Sequence, residues 1–179
     1  MARISPLAVA GVALIGGLWL AERARPLRRQ THDTTTRQVR NIAMGAGTML
    51  VVTAIEMPLL TRLAKNNRHG LVQAIRLPRP LQIVLGVAAM DYAYYWWHIA
   101  THKVPFLWRF HRVHHSDAQM DVTTASRFHT GEIVLSSALR IPLILALGVT
   151  AWELVLYETM MFAVVQFHHA NVALPARVE

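Results

Sequence analysis

Five of the ten histidines fall between His98 and His115, and their spacing is that of helices rather than loops. His98 and His102 stand four apart, so both lie on one face of a helix. His111, His114 and His115 stand at i, i+3 and i+4, which again gives one face. Neutral imidazole is the commonest protein ligand for transition metals and suits iron, zinc, copper and nickel. Two short helices with these faces opposed supply ligands to one or two metal ions. Packing alone explains the pattern poorly, because imidazoles resist burial without a partner. We therefore expect His98, His102, His111, His114 and His115 to be metal ligands. The chain has no cysteine. That excludes disulfides, zinc-thiolate sites and thiol nucleophiles, and leaves nitrogen and oxygen as ligand atoms.

The remaining histidines divide. His168 and His169 close an apolar run; neighbours on a helix point about 100° apart, so one of the two faces the site. Glu158 lies three turns before His169 on roughly the same face. His129 sits in Arg127-Phe128-His129-Thr130-Gly131-Glu132 and is open among three roles: a ligand, a group supporting ligands, or a cap for the following helix. His32 and His69 have no such spacing and read as ordinary loop residues.

The elements that must position these side chains are apolar. Apolar residues make up 54% of the chain and charged ones 16%, against about 45–50% and about 25% in soluble proteins. Mean hydropathy is +0.31. Much of the chain is expected to face lipid. Residues 4–21 form an uncharged stretch close to bilayer-spanning length. Only Arg3 precedes it and six arginines follow within 23–40, which suits a retained span better than a signal peptide. Residues 41–61 read as a second span, interrupted by Glu56 and ended near Pro58, with Glu56 a satisfied interior carboxylate.

Residues 62–80 are basic and interfacial. Residues 81–97 form a third span that contains Asp91 and ends in an aromatic belt from Tyr92 to Trp97. Val104-Pro105 breaks the helix before the second histidine group. Residues 132–147 and 151–169 read as a half-inserted helical hairpin broken at Gly148, with Thr150 and Glu153 at capping-box spacing.

The expectation is an all-α integral membrane helical bundle of about three spans plus a C-terminal helical hairpin, with the metal site at helix ends. Residues 1–40 form an N-terminal span and basic loop, and residues 41–179 carry the site. The side bearing the histidines holds eleven Lys and Arg against six on the other, which predicts that it faces the cytoplasm in a multi-pass topology. The formal charge of +8 is not read as nucleic-acid binding. No reader motif accompanies it, and the basic residues lie between apolar spans.

Four stretches together resemble the fatty acid hydroxylase/sterol desaturase superfamily, over roughly residues 50–175. They are Asp91-x-x-Tyr94-x-x-x-His98-x-x-x-His102, Pro105-x-Leu107-Trp108-Arg109-Phe110-His111-x-x-His114-His115-Ser116, Arg127-Phe128-His129-x-x-Glu132 and His169-Ala170-Asn171-Val172. The resemblance implies a membrane-embedded di-metal centre, normally di-iron, that uses O2 to hydroxylate or desaturate lipids with electrons from a separate protein. It implies His98, His102, His111, His114, His115 and His169 as ligands, with His168 the lesser candidate. Asp91, Trp108 and Arg109 match positions with structural roles or roles supporting the ligands.

Members of the superfamily continue into a second His-x-x-His-His motif, whereas this sequence ends at Glu179, nine residues after Ala170. The expectation is a chain incomplete at its C-terminus, as a fragment, a truncated gene product or one part of a shared site. Two other readings stay open. One is a non-enzymatic truncated membrane protein with a partial metal site. The other is a zinc-dependent membrane hydrolase, with Asp117, Asp121 or Glu132 as general base; it lacks a His-Glu-x-x-His motif. Imidazole suits iron and zinc alike, so donor type alone does not choose the metal.

Overall fold

The computed structural model describes residues 6–31, 33–67, 69–175 and 177, which leaves His32 outside the described residues. Regular structure among them is helical, with one isolated antiparallel bridge, Pro26 to Val172. The helices are α1 (Pro6–Ala24), α2 (Thr34–Val51), α3 (Met57–Asn66), α4 (Leu71–Ala74), α5 (Arg79–Lys103), α6 (Pro105–His115), α7 (Thr130–Leu147) and α8 (Ala151–His169).

Helix α2 begins earlier than its apolar run suggests, because Asp33 caps it: Oδ1 accepts from the Thr36 amide at 3.2 Å. Arg37 and Arg40 therefore belong to the helix rather than to the preceding loop. Nor does the helix stop near Pro58. It widens into a π turn, Val52–Glu56, and continues as α3 with Pro58 in its first turn. There the missing proline N–H and the bulk of the ring are tolerated, since the register has just shifted by one residue. The same shift turns Glu56 inward.

Thr34–Lys65 and Thr130–Leu147 are the two stretches long and apolar enough to cross a membrane among the described residues. Only 11% and 22% of their apolar windows is buried, so these residues point away from the protein core. Outward apolar faces of this kind suit lipid.

Helices α7 and α8 meet at the expected break after Leu147 but splay apart beyond it, each packing on α3 and α5 rather than on the other. Helix α7 is long enough to cross a membrane rather than half-insert. Gly148 takes φ 74° after α7, the left-handed conformation that ends a helix and favours glycine. Gly70 packs backbone to backbone against it; a Cβ on Gly70 would lie 2.2 Å from the Gly148 nitrogen. The Thr150–Glu153 capping box forms as expected. The tightest apolar cluster joins Leu60, Ala64, Met90, Ile144, Leu154 and Tyr157 toward this turn. The histidines occupy the opposite ends of α7 and α8.

The N-terminal segment is tied to the rest by buried polar bonds. Glu22 Oε1 accepts from the amides of Val122 and Asn171, both at 2.7 Å. The Asn171 side chain bonds the Arg28 amide and carbonyl at 2.9 and 2.8 Å. Arg37 pairs with Asp117 at 2.9 Å and with Asp121, and Asn41 donates to Asp117 at 2.7 Å. These bonds hold the loop after α6, and so the start of α7, in place.

Candidate metal centre

Helix α5 breaks at Val104, which is extended (φ −91°, ψ 116°), and α6 starts at Pro105, where proline suits a first turn. The break folds the two histidine faces together. Four imidazoles gather: His102 lies 4.8 Å from His98, 4.7 Å from His111 and 4.7 Å from His115, measured between ring centroids. His111 lies 4.9 Å from His98 and 4.8 Å from His115. The candidate ligand atoms of His98, His102 and His111 all fall within 4.8 Å of one another. A second pair adjoins them. His169, at the end of α8, meets His114 with ring centroids 4.7 Å apart, and His114 stacks on His111.

Tautomers follow from the partners of the outer nitrogens. His111 Nδ1 contacts Glu132 Oε1 at 2.8 Å, and His169 Nδ1 contacts the Val165 carbonyl at 2.7 Å. Both acceptors need the proton on Nδ1, which leaves Nε2 as a bare lone pair. These Nε2 atoms face other Nε2 atoms: His115 at 3.1 Å from His111, and His114 at 2.9 Å from His169. His98 and His102 make a third such contact at 3.3 Å. Lone pairs converging at this range call for a proton or a cation between them. The donor set, all imidazole with one carboxylate behind it, fits a transition metal of the iron–zinc type.

Electrostatics keep these rings in their ligand form. Burial, then the adjoining imidazoles of His169, His115 and His111, holds the His114 imidazole down to about 3. Partial burial and the same kind of neighbours hold His115 down to about 4. Both are neutral near pH 7, as metal ligation requires.

The other expected residues have definite places. His129 caps α7: its Nδ1 accepts from the Gly131 amide at 2.9 Å, the cap among its three open roles. His168 is exposed, with Phe167 its nearest ring partner. Trp108 stacks on His115 at 5.8 Å, whereas Arg109 is exposed on α6. Asp91 borders the cavity described below. His69 sits in the loop before α4, its amide donating to Asn67. Asp117 and Asp121 are engaged with Arg37, Asn41 and Thr123 rather than with the imidazoles.

Two contacts were not legible as spacing. The Glu132–His111 bond joins residues 21 apart, and Phe128 stacks nearly flat on His114, 5.0 Å away at 12°. Both come from the Arg127-Phe128-His129-x-x-Glu132 stretch before and at the start of α7.

The histidines open onto a cavity of about 550 Å³. It runs between α2, α5, α7 and α8, with Met49, Val52, Phe162 and Val165 among its apolar walls. The Gly45 backbone lies against Ser126 here; a Cβ on Gly45 would come within 2.7 Å of the Ser126 Cβ. Along α7 the lining runs from Glu132 through Ile133 and Ser136 to Arg140, roughly 12 Å of helix. At the far end, Arg140 meets Glu56 at 3.0 Å, Glu158 at 3.3 Å and the Tyr94 hydroxyl at 3.0 Å. Glu56 is thus the paired interior carboxylate expected from the sequence.

Comparison with known proteins gives two matches. A family model described as fatty acid hydroxylase matches residues 83–179. Ornithine lipid hydroxylase OlsE of Rhizobium tropici is 31% identical over 117 residues, which covers 64% of this chain and 34% of that protein. The chain spans about a third of the length of this curated relative. No solved structure matches.

Proposed function

The chain belongs to the fatty acid hydroxylase family, and from that premise we propose that it is an iron-dependent membrane oxygenase that hydroxylates an unactivated C–H bond of a lipid. The observation that carries this reading is the convergence of imidazole lone pairs at the mouth of a largely apolar cavity. His98, His102, His111 and His115 would hold one iron, and His114 with His169 would contribute to a second. Iron supplies the oxidising power, drawn from O2 and an electron donor, that no side chain has.

The chain's own residues do the positioning. Glu132 accepts the His111 Nδ1 proton, which fixes ring orientation and makes Nε2 the donor atom. The Val165 carbonyl does the same for His169. Phe128 and Trp108 hold His114 and His115 by stacking. The apolar walls seat an alkyl chain beside the imidazoles and exclude water from it.

In this reading the chain is multi-pass, with its histidine end at the cytoplasmic surface. There electrons arrive from a separate protein while the lipid enters from the bilayer. Because the match covers only 34% of the relative, its printed activity supports the reaction class here and not a particular lipid. The relative's name favours hydroxylation over desaturation.

The test is the iron content of the detergent-purified chain, measured beside a His111→Ala/His114→Ala/His115→Ala variant. We expect iron in the first and none in the second, with O2-dependent oxidation of added membrane lipid only by the first. Equal iron in both, or zinc as the retained metal with no oxidised product, overturns the proposal.

A further inference from the structure

Resting on that reading, we infer that the inner end of the cavity, away from the imidazoles, is a subsite for an alcohol hydroxyl carried by the lipid. Tyr157 lines the cavity on α8 and is 2% exposed, yet its hydroxyl has no hydrogen-bond partner among the described residues. Its ring packs edge-on to Tyr94 at 6.4 Å. The next residue, Glu158, also lines the cavity, and its buried Oε1 lies 3.3 Å from Arg140 without making a hydrogen bond. The inner wall thus carries a hydroxyl donor and a carboxylate acceptor on consecutive residues of α8.

An unpaired buried donor is costly, and in a membrane protein no bulk water repairs it. Polar groups at this depth usually mark a substrate path. The charges nearby select among occupants. A carboxylate would meet Glu56 and Glu158 against one guanidinium, and an ammonium, which has donors only, would leave the Tyr157 hydroxyl hydrogen without an acceptor. An alkyl terminus leaves the Tyr157 hydroxyl without a partner. A hydroxyl accepts from Tyr157 and donates to Glu158.

The experiment uses the full chain in detergent with labelled dodecan-1-ol, displaced by unlabelled dodecan-1-ol, tridecane, dodecylamine or dodecanoate, each corrected for micelle partition. We expect the alcohol to compete about tenfold better than tridecane, the worth of about one net hydrogen bond. Tyr157→Phe should erase that preference and leave tridecane competition and iron content unchanged. Glu158→Gln, which keeps an acceptor, should retain most of it.

Equal competition by alcohol and alkane overturns the inference, as does a preference that survives Tyr157→Phe. Best competition by the amine or the carboxylate replaces the subsite with an ionic one. Iron and O2-dependent product, measured on the same preparation, test the oxygenase reading separately. A preference without iron sinks that reading alone, and iron without a preference sinks only the subsite.

Discussion

The cavity has a polar cluster at each end, and the two are built on opposite terms. At the inner end every formal charge has a partner: Arg140 faces Glu56, Glu158 and Tyr94, and Ser137 donates to Glu56 at 2.6 Å. At the outer end the imidazoles face one another, with Nε2 atoms 2.9–3.3 Å apart and one carboxylate behind them. The inner cluster largely balances its own charges. The outer one gathers lone pairs that need a proton or a cation between them, and that difference separates a charged cluster paired within the protein from one that offers metal-ligand atoms.

The largest effect should come from unbalancing the inner cluster. Removing one partner of a buried ion pair strands the other charge, at about 3–5 kcal/mol. Arg140→Met should lose that much stability in detergent unfolding, with iron per folded chain unchanged. Adding Glu56→Gln should recover part of it. A loss below about 1 kcal/mol, the range of an exposed pair, would show that the inner charges are solvated.

At the outer end the same kind of deletion should act on metal instead. Glu132→Ala removes the acceptor for His111 Nδ1, and iron affinity should fall about 10–100-fold. Folding stability should fall less than at the inner end, by about 1–3 kcal/mol, because the buried His111 Nδ1–H loses its acceptor. Glu132→Gln, whose amide oxygen still accepts, should restore most of the affinity. Unchanged iron affinity in Glu132→Ala would remove the carboxylate from the site.

The smallest effect sharpens the boundary of the outer cluster. His129→Ala should cost about 1 kcal/mol as a lost helix cap, with iron content intact. His129→Asn should recover the stability. If iron falls instead, His129 belongs among the ligands and the cluster is larger than its present geometry.

Much of this was readable in one dimension because helical spacing assigns faces. His98/His102 and His111/His114/His115 could be put on two faces without coordinates, and Gly148 with Thr150 and Glu153 marked the break between α7 and α8. Pro58 misled for a local reason. A proline normally ends a helix, but the π turn before it shifts the register and returns it to a first turn. For His129 sequence left three roles, since a ligand and an N-cap both stand just before a helix.

The sequence by itself determined which residues share a face, which stretches avoid water and which ligand atoms are on offer, because those depend on helical period and side-chain chemistry alone. Only the tertiary structure decided which faces meet. His114 reaches His169 across 55 residues, Glu132 reaches His111 across 21, and Arg140 reaches Glu56 across 84. Such pairings depend on the angle at Val104 and the added turn at Val52–Glu56. A change in either rotates a whole helix, and no local pattern records that rotation.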